Sequence, residues 1–499
     1  MTPRFRFLFL SAITIPTVAT AHGRHGGLVK APPRATASDA AATAGRSWLA
    51  GDHHIHSRFS AGYEVDPADP AAPPVPQLGK DGRYPIPTNA ERARFHGLRW
   101  ISTTDHGGPL HAKLNYEQTY PELLRSRAAV PEVLQFYGME FDTPAGDHSS
   151  LIVPHTSAER DQLLDIESRF SKREAWPLDP ARDVEPRMIE ALRHMRAQSS
   201  PPVVIANHPS RSAPAIGVYG QYTPSEFRNW NDIAPNVAIG MEGAPGHQAT
   251  SLKPDGTSKA DGVRGYYGNA PTIGGFDQMT ARLGRFWDSM LGEGRRWWIT
   301  STSDSHVNWR DGGGDFWAGE YSKTYVHARP DHADILAGLR DGRVFVTTGD
   351  LVSELDVTAR AAGAPSHAAI GGTLTVRTGR DVEVKIHLRD PAGANATGYS
   401  SDVRRVDLIV GDITGPATDR TVDRNPSTRA VKRFAAGGWK RDGEYLTMTH
   451  RLRRVRTPLY LRVRGTSTSE LEPTPDPRGE DPWSDLWFYS NPIFVITAK

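Results

Sequence analysis

The stretch LRWISTTDH (98–106) starts as an apolar β-strand and ends in an acid and a histidine, Asp105 and His106. Similar apolar runs recur up to about residue 350, and they alternate with segments that have helical spacing, such as PRMIEALRHMRAQ (186–198). Strands that alternate with helices are typical of a parallel α/β sheet or barrel. The sequence therefore predicts an α/β domain over residues 47–350.

Four further strand-like runs also end in residues that can carry chemistry. They end in Glu140, His208, Glu242, and the pair Asp304 and His306. The carboxyl ends of the strands in a parallel barrel converge on one face, so we expect these side chains to lie together. Capping of separate strand ends explains one or two such residues but poorly explains all of them.

The segment GDHHIHS (51–57) adds two histidines, His54 and His56, whose spacing in a strand points them to the same face. Short histidine clusters also occur on solvated surfaces, so this pair alone is weak. Imidazoles combined with carboxylates suit zinc, manganese or iron. The chain has no cysteine, which excludes thiolate metal sites and cysteine nucleophiles. The pattern predicts a site for divalent metal ions, in which a carboxylate can bridge two of them.

These motifs resemble those of the polymerase-and-histidinol-phosphatase (PHP) family of metal-dependent phosphoesterases. The resemblance covers about residues 50–350 and rests on DHHIHS, TTDH, GMEF, GDHSSLIV, ANHPS and TSDSH, in that order. It implies a distorted (β/α)7 barrel and ester hydrolysis by a metal-activated hydroxide. It also implies a set of metal ligands, namely His54, His56, His106, Glu140, His148, His208, Asp304 and His306.

The resemblance further implies how these ligands divide among the ions. The first ion would lie among His54, His56, Glu140 and Asp304. A second would share Glu140 and use His148 and His208. His106 and His306 would help to hold a third ion or contact the substrate, and either one is a candidate to protonate the departing oxygen.

One departure from the family pattern concerns the third ion. Family members often carry Ser-Asp-Gly after the first motif, whereas this chain has Ala61 between Ser60 and Gly62. Asp81, within the proline-rich insertion 63–87, is a candidate for the missing carboxylate, and an ordinary turn is the alternative. Two ions and three ions are both open at this point.

Several nearby residues are candidates for supporting roles. Asp52 and Asp105 are each placed to orient a ligating imidazole, or only to make a hydrogen bond at a strand end. Glu242 resembles a family carboxylate near the site. Arg211 has the planar fork that suits a phosphate oxygen, against the alternative of a surface arginine. His247 lies on a loop near the same face and is a candidate substrate contact.

The N-terminus predicts export to the periplasm or the medium. Arg4 and Arg6 precede a short apolar run that ends in Ala19-Thr20-Ala21, the pattern of a signal peptide over residues 1–21. An uncleaved anchor is the alternative. Residues 22–46 are small, polar and rich in glycine and proline, which favours a flexible segment.

The pattern changes after residue 350. Period-two strands separated by turns predict an antiparallel β-sandwich over residues 351–499. GRVFVTTGD (342–350) and DPWSDLWFYSNPIFV (481–495) are similar to the ending of an exported PHP-like subgroup. Some relatives in that subgroup hydrolyse carbamates or carboxyl esters.

The composition narrows the class of substrate. The net charge of +2 offers no electrostatic track for a long polyanion, so no nucleic acid partner is expected. The prediction is a metal-dependent phosphoesterase that acts on small phosphodiesters or phosphomonoesters. The alternatives are a carboxyl-ester or carbamate hydrolase on the same metals, and a carbohydrate- or envelope-binding protein with an inert barrel. Nothing in the sequence predicts an oligomeric state.

Overall fold

The computed structural model describes residues 45–266 and 269–498. The predicted signal peptide (1–21) lies outside the described residues, as does nearly all of the predicted flexible segment (22–46). Within the described ranges, no helix combines the length and the apolar character that crossing a bilayer requires.

The helices lie almost entirely before residue 341. They are α1 (Ile86–Phe95), α2 (His111–Leu114), α3 (Tyr120–Ala129), α4 (Glu159–Phe170), α5 (Glu185–Ala197), α6 (Pro224–Ile233), α7 (Gln278–Ala281), α8 (Phe286–Gly292) and α9 (His332–Arg340). A π-helical turn, Asn115–Thr119, joins α2 to α3. Helix α6 begins at a capping box between Thr223 and Glu226 and buries Phe227 and Trp230 against the sheet core.

Strands of the first part alternate with these helices. They are β1 (Ser47–Ile55), β2 (Gly62–Glu64), β3 (Val75–Gln77), β4 (Trp100–Thr103), β5 (Leu134–Asp142), β6 (His148–Ile152), β7 (Val203–Ala206), β8 (Ala238–Ala244), β9 (Trp298–Ser301), β10 (Ser322–Ala328) and β11 (Val344–Thr348). Strands β1, β4 and β5 run parallel, as do β7, β8 and β9. Strand β6 is antiparallel to both β5 and β7, and β10 is antiparallel to β1 and β11.

The prediction of a (β/α)7 barrel is right about the mixed α/β character and wrong about closure. In the described residues, β9 and β10 form no strand ladder, because β10 already pairs with β1 and β11 on its two edges. Side chains and one bridge span the gap instead. The Ser301 amide donates to Thr324 Oγ1 at 2.8 Å, and the His56 amide donates to the Ser305 carbonyl at 3.0 Å. The sheet thus curls until its first and last parallel strands meet at one end.

The remaining strands form the C-terminal part. They are β12 (Glu354–Ala361), β13 (Ala368–Ala369), β14 (Thr373–Arg377), β15 (Arg380–Arg389), β16 (Arg405–Asp412), β17 (Arg429–Ala435), β18 (Lys440–Asp442), β19 (Tyr445–Val455), β20 (Leu459–Thr466), β21 (Trp487–Ser490) and β22 (Ile493–Ala498). An antiparallel sheet of order β13-β12-β15-β19-β18 shares one buried cluster with side chains of β16, β20 and β22.

Two features differ from the predicted antiparallel sandwich. Strands β14 and β22 pair in parallel. The second layer is also continuous with the main sheet, because β21 pairs with β11 from Phe345 to Thr347. The Asn491 side chain, just after β21, accepts from the Ile299 amide at 3.0 Å and so reaches β9. The end of the chain therefore helps to hold the last parallel strand.

Candidate metal centre

The ends of the parallel strands and their neighbours bring the predicted ligands together. His54 and His56 lie at the end of β1, Glu140 near the end of β5, and His148 at the start of β6. The loops after β4, β7 and β9 supply the remaining four, which are His106, His208, Asp304 and His306. All eight side chains are at most 17% exposed.

The first group consists of His54, His56, Glu140 and Asp304. His54 Nε2 and His56 Nε2 lie 3.1 Å apart, and Asp304 Oδ1 lies 3.0 Å from each. Glu140 Oε1 is 3.1 Å from His54 Nε2, and Glu140 Oε2 is 3.5 Å from His56 Nε2. Ligand atoms bound at about 2.1 Å to one ion lie roughly 3.0–3.4 Å from one another. The spacing therefore matches the edges of a coordination polyhedron.

Glu140 is shared with a second group, formed by His106, Glu140 and His148. His106 Nδ1 lies 2.8 Å from Glu140 Oε2, and His148 Nδ1 lies 3.2 Å from Glu140 Oε1. Within the described residues, the geometry of the contact between His106 Nδ1 and Glu140 Oε2 is not that of a hydrogen bond, and both atoms are buried with no other hydrogen-bond partner. Buried polar atoms normally have partners, so this pair fits two neighbouring ligands of one cation. His208 Nε2 touches Glu140 Oε1 at 3.0 Å.

Asp81 reaches a third group, with His56, His106 and His306. Its Oδ2 atom lies 3.5 Å from His306 Nε2 and 3.6 Å from His106 Nε2. The next residue, Gly82, fixes this approach, because a Cβ atom there would lie 2.1 Å from the Ser57 carbonyl oxygen. Ala61, by contrast, packs in the hydrophobic core.

Hydrogen bonds to the far nitrogens of His54 and His56 set the orientation of these two imidazoles. His54 Nδ1 donates to Glu242 Oε1 at 2.7 Å, which leaves the Nε2 lone pair facing the first group. His56 Nδ1 lies 2.6 Å from Ser60 Oγ, and the Ser60 hydroxyl also bonds to Asp105. Asp105 thus acts on His56 through Ser60 rather than directly.

Asp52 bonds to main-chain amides and not to an imidazole, which was the partner considered for it in the sequence analysis. Its two oxygens accept from the main-chain amides of His54 and Ser303, each at 2.9 Å. This carboxylate ties β1 to the segment after β9, so it positions ligands through the backbone. Burial raises the pKa of Asp52 to about 7.

Three residues of the site hold strained backbone angles. His208, His247 and Asp304 have φ values of 28°, 53° and 47°. Residues other than glycine rarely adopt positive φ, and such strain concentrates at functional sites. The chain therefore bends sharply after β7, β8 and β9 to turn these side chains inward.

Electrostatics in the cluster follow from burial and close opposite charges. Burial opposes charging of His148, but the Glu140 carboxylate and a hydrogen bond with Asp142 outweigh it and raise the pKa to about 9. For His306, burial is outweighed by Asp81 and Asp304, and the pKa again rises to about 9. The carboxylates around His148 and His306 therefore favour the charged form of these two imidazoles.

Arg211 lies at the rim of the cluster. Its Nη2 and Nε atoms donate to the two oxygens of Asp147 at 2.7 and 3.2 Å, and Nη2 lies 3.3 Å from His148 Nδ1. The side chain is 31% exposed, so it combines a fixed orientation with access to solvent. It is therefore not an ordinary surface arginine.

Sequence reasoning missed three carboxylates around the site. Asp142 and Asp147 border His148, and Asp315 accepts from the His306 amide at 2.8 Å. Asp315 belongs to DGGGDF (311–316), which has no strand before it, so no pattern in the sequence marked it. His247 bridges Asp315 Oδ1 at 2.5 Å and Asp304 Oδ2 at 3.0 Å, and it is 21% exposed.

Two other histidines have structural contacts away from the ligands. His53 is buried between Ser150 Oγ at 2.9 Å and Thr300 Oγ1 at 2.8 Å, and burial lowers its pKa to about 4. His111 pairs with Glu167 at 2.6 Å and donates to the Phe59 carbonyl at 3.2 Å.

A separate acidic group surrounds Arg264 near the C-terminal strands. Asp476, Glu480 and Asp485 lie close enough together to hold an ion. The Arg264 guanidinium, which is fully buried, contacts Asp485 at 2.6 Å and Glu480 at 3.2 Å. A protein cation therefore already occupies this group.

Comparisons with known proteins add little. No family model matches the chain, and no curated protein matches it. One similar solved structure is a Bifidobacterium adolescentis protein provisionally described as a metal-dependent phosphoesterase, with 13% identity over 54% of this chain and 90% of that one. Another is a chitin binding domain from Burkholderia pseudomallei, with 14% identity over 25% and 57%. Their TM-scores, 0.26 and 0.15, are too low for either likeness to bear on fold or function.

Proposed function

We propose that this protein is a metal-dependent phosphoesterase of the PHP type that hydrolyses small phosphodiesters or phosphomonoesters. The observation that carries the proposal is the convergence of histidine nitrogens on Glu140 and Asp304 at the separations of ligands of one ion. Divalent ions such as zinc, manganese or iron, when bound, lower the pKa of coordinated water and stabilise negative charge on substrate oxygens. A protein nucleophile is not required.

The ligand assignment belongs to the same proposal. The first ion would be held by His54, His56, Glu140 and Asp304, whose four ligand atoms lie within 4.8 Å of one another. The second would be held by Glu140 with His148, and both His106 and His208 lie in contact with Glu140. Glu242 and Ser60 support this arrangement, because each occupies the far nitrogen of a ligating imidazole.

A third ion would be held by Asp81 with His106 and His306. The insertion that carries Asp81 replaces the carboxylate lost at Ala61, and the contacts of about the same length from Asp81 to both histidines favour a shared ion. If this ion is not bound, His306 or His106 is the candidate donor of a proton to the departing oxygen, because both face the cluster rim.

Arg211 favours phosphate over carbamate or carboxyl esters. A phosphate ester keeps negative charge throughout the reaction, so a cation beside His148 stabilises it, whereas a neutral carbamate gains less. Asp147 holds the guanidinium in place and leaves part of it exposed. The close packing of the ligand set also disfavours a binding protein with an inert barrel.

The test compares two substrates on one protein. The protein, loaded with manganese or zinc, is assayed with a chromogenic phosphodiester and with a naphthyl carbamate. Asp304→Asn gives the background, and Asp255→Asn, in an exposed turn, is the matched control. We expect phosphodiester turnover that Asp304→Asn loses and Asp255→Asn keeps. Turnover of the carbamate alone would overturn the substrate class and leave the metals in place.

The cellular setting and the domain division are also proposals. The basic start, apolar run and Ala-Thr-Ala of residues 1–21 support export to the periplasm or medium. The changed strand pattern after residue 350 supports a hydrolase domain over 47–350 and a β-domain over 351–499. Detection of the chain in the periplasmic fraction, with an N-terminus near residue 22, would test the first of these.

A further inference from the structure

A cavity of about 760 Å³ lies on the C-terminal antiparallel sheet. Its walls come from β12, β15 and β19, with one side chain from β17, and none of these strands contributes a ligand to the metal centre. Ligand pockets usually measure about 300–1,000 Å³, so this cavity is large enough for an extended molecule rather than a single ion. It is independent of the proposed active site.

Two cross-strand rows form the floor of the cavity. In the first row, Lys385 on β15 lies between Thr358 on β12 and Thr449 on β19. In the second row, Glu383 lies between Arg360 and Arg451. Residues in register on neighbouring strands present their side chains to the same face, so the three side chains of each row lie side by side.

The charge balance of the cavity is strongly positive, a local excess that the small net charge of +2 for the whole chain did not predict. Its lining carries the four cations Arg360, Lys385, Lys432 and Arg451, together with His367 and His450. Glu383 is the one acid among the lining residues, and it bonds to both arginines, at 3.0 Å to Arg360 Nε and 2.5 Å to Arg451 Nη2. These pairs hold the arginines in place and leave the lysines to supply an excess of positive charge.

The remaining chemistry distinguishes among anionic ligands. The lining offers Thr358 and Thr449 hydroxyl groups for sugar hydroxyls but has no Phe, Tyr or Trp ring on which a base or a neutral sugar ring would stack. Its apolar members are Val384, which is buried, and Pro365, which is too little for insertion into a membrane. The combination fits carboxylates spaced along a hydroxyl-rich chain.

We propose that this cavity, the basic cleft of the C-terminal sheet, binds an acidic polysaccharide through its carboxylate groups. The guanidinium groups of Arg360 and Arg451 and the ammonium groups of Lys385 and Lys432 contact the carboxylates. The threonine hydroxyls bond to the sugar hydroxyls. The cleft goes beyond the proposed hydrolysis and gives the protein a means of attachment to an anionic polymer.

The test measures binding of the whole protein to polygalacturonate and to neutral dextran at low salt. The variant Lys385→Gln with Lys432→Gln removes two cations of the cleft. The variant Lys253→Gln with Lys259→Gln removes two exposed lysines elsewhere and is its matched control. Thermal unfolding of each variant checks that it is folded.

We expect polygalacturonate binding to weaken about tenfold in the cleft variant and to stay unchanged in the control, since two charge contacts together are worth about 1–2 kcal/mol. Glu383→Gln should bind more tightly, because it frees two arginines and removes a repulsive charge. Equal binding by the cleft variant and the control, or equal binding of dextran, would overturn the proposal. Tighter binding of single-stranded DNA or of anionic phospholipid vesicles would overturn the choice of ligand.

Discussion

Two groups in this protein bring buried carboxylates together, but the residues that face those carboxylates differ. Around Arg264, three carboxylates converge on a guanidinium that already neutralises them. Around Glu140 and Asp304, the carboxylates face histidine nitrogens, and no arginine or lysine of the described chain enters the first group. Acid content alone therefore does not identify a metal site.

The partners of the histidines explain the difference. An imidazole whose Nδ1 is held by Glu242 or Ser60 presents a lone pair at Nε2, which is a ligand and not a charge partner. A guanidinium presents only donors and balances charge by itself. The first arrangement can hold a cation from outside the chain, whereas the second already contains a cation of the chain itself.

The largest effect should follow loss of a shared ligand. Asp304→Asn removes the oxygen that lies 3.0 Å from both His54 Nε2 and His56 Nε2. We expect phosphodiester turnover to fall to background and the metal content, measured by mass spectrometry, to fall by about one ion per chain. The variant Asp485→Asn, in the Arg264 group, should have the same metal content as the unmodified protein. Equal metal content in the two variants would contradict the comparison.

Removal of Arg264 should turn the acidic group around it into a site that can hold an added cation. Arg264→Ala leaves three buried carboxylates unpaired, so we expect the free energy of unfolding to fall by about 3–5 kcal/mol. Calcium should restore part of the melting temperature in this variant, because oxygen ligands suit that ion. Arg329→Ala, at an exposed pair, should cost under about 1 kcal/mol and show no calcium effect. Absence of rescue would show that the guanidinium and an ion are not interchangeable here.

The orienting carboxylate should have a smaller effect than the ligands. Glu242→Gln keeps an acceptor for His54 Nδ1 but removes its charge. We expect metal affinity to fall about 10–100-fold, measured by competition with a chelator, with the fold retained. An affinity equal to that of the unmodified protein would mean that the hydrogen bond, rather than the charge, sets the ligand.

The smallest effect concerns His111, outside both groups. Burial opposes its charge, but Glu167 outweighs burial and raises its pKa to about 9. The resulting stabilisation is complete below the unfolded pKa of about 6.5 and disappears as the pH rises through about 9. The free energy of unfolding should fall by about 1 kcal/mol per pH unit across this window. The variant His111→Gln should not show this fall when both proteins are compared by denaturant titration. Parallel stability curves for the two proteins would contradict this assignment.

Much of the site was predictable because its ligands follow strong local patterns. His54, Glu140 and Asp304 each end an apolar strand, and parallel strand ends must meet at one edge. Asp315 and Asp147 were not predictable, because they sit in loops whose course depends on tertiary packing. The partner of Arg211 was hidden for the same reason.

The fold was predictable in type but not in closure. Alternating strands and helices indicate an α/β sheet, whereas pairing on both edges of β10 is a long-range choice that no local window contains. The same limit applies to the continuity of the two sheets through β11 and β21. The role of Asp81 was partly predictable. The resemblance indicated that an acid was missing at Ala61, and the structure brings Asp81 near His106 and His306.

The contact between Asn491 and β9 has a consequence for the order of events during synthesis. The strand that leads to Asp304 donates a hydrogen bond to a residue almost 200 positions later. We therefore expect β9 to reach its final position only when nearly the whole polypeptide has been synthesised. Metal would then be bound by the finished chain and not by a growing one. A chain truncated before Asn491 should therefore bind no metal.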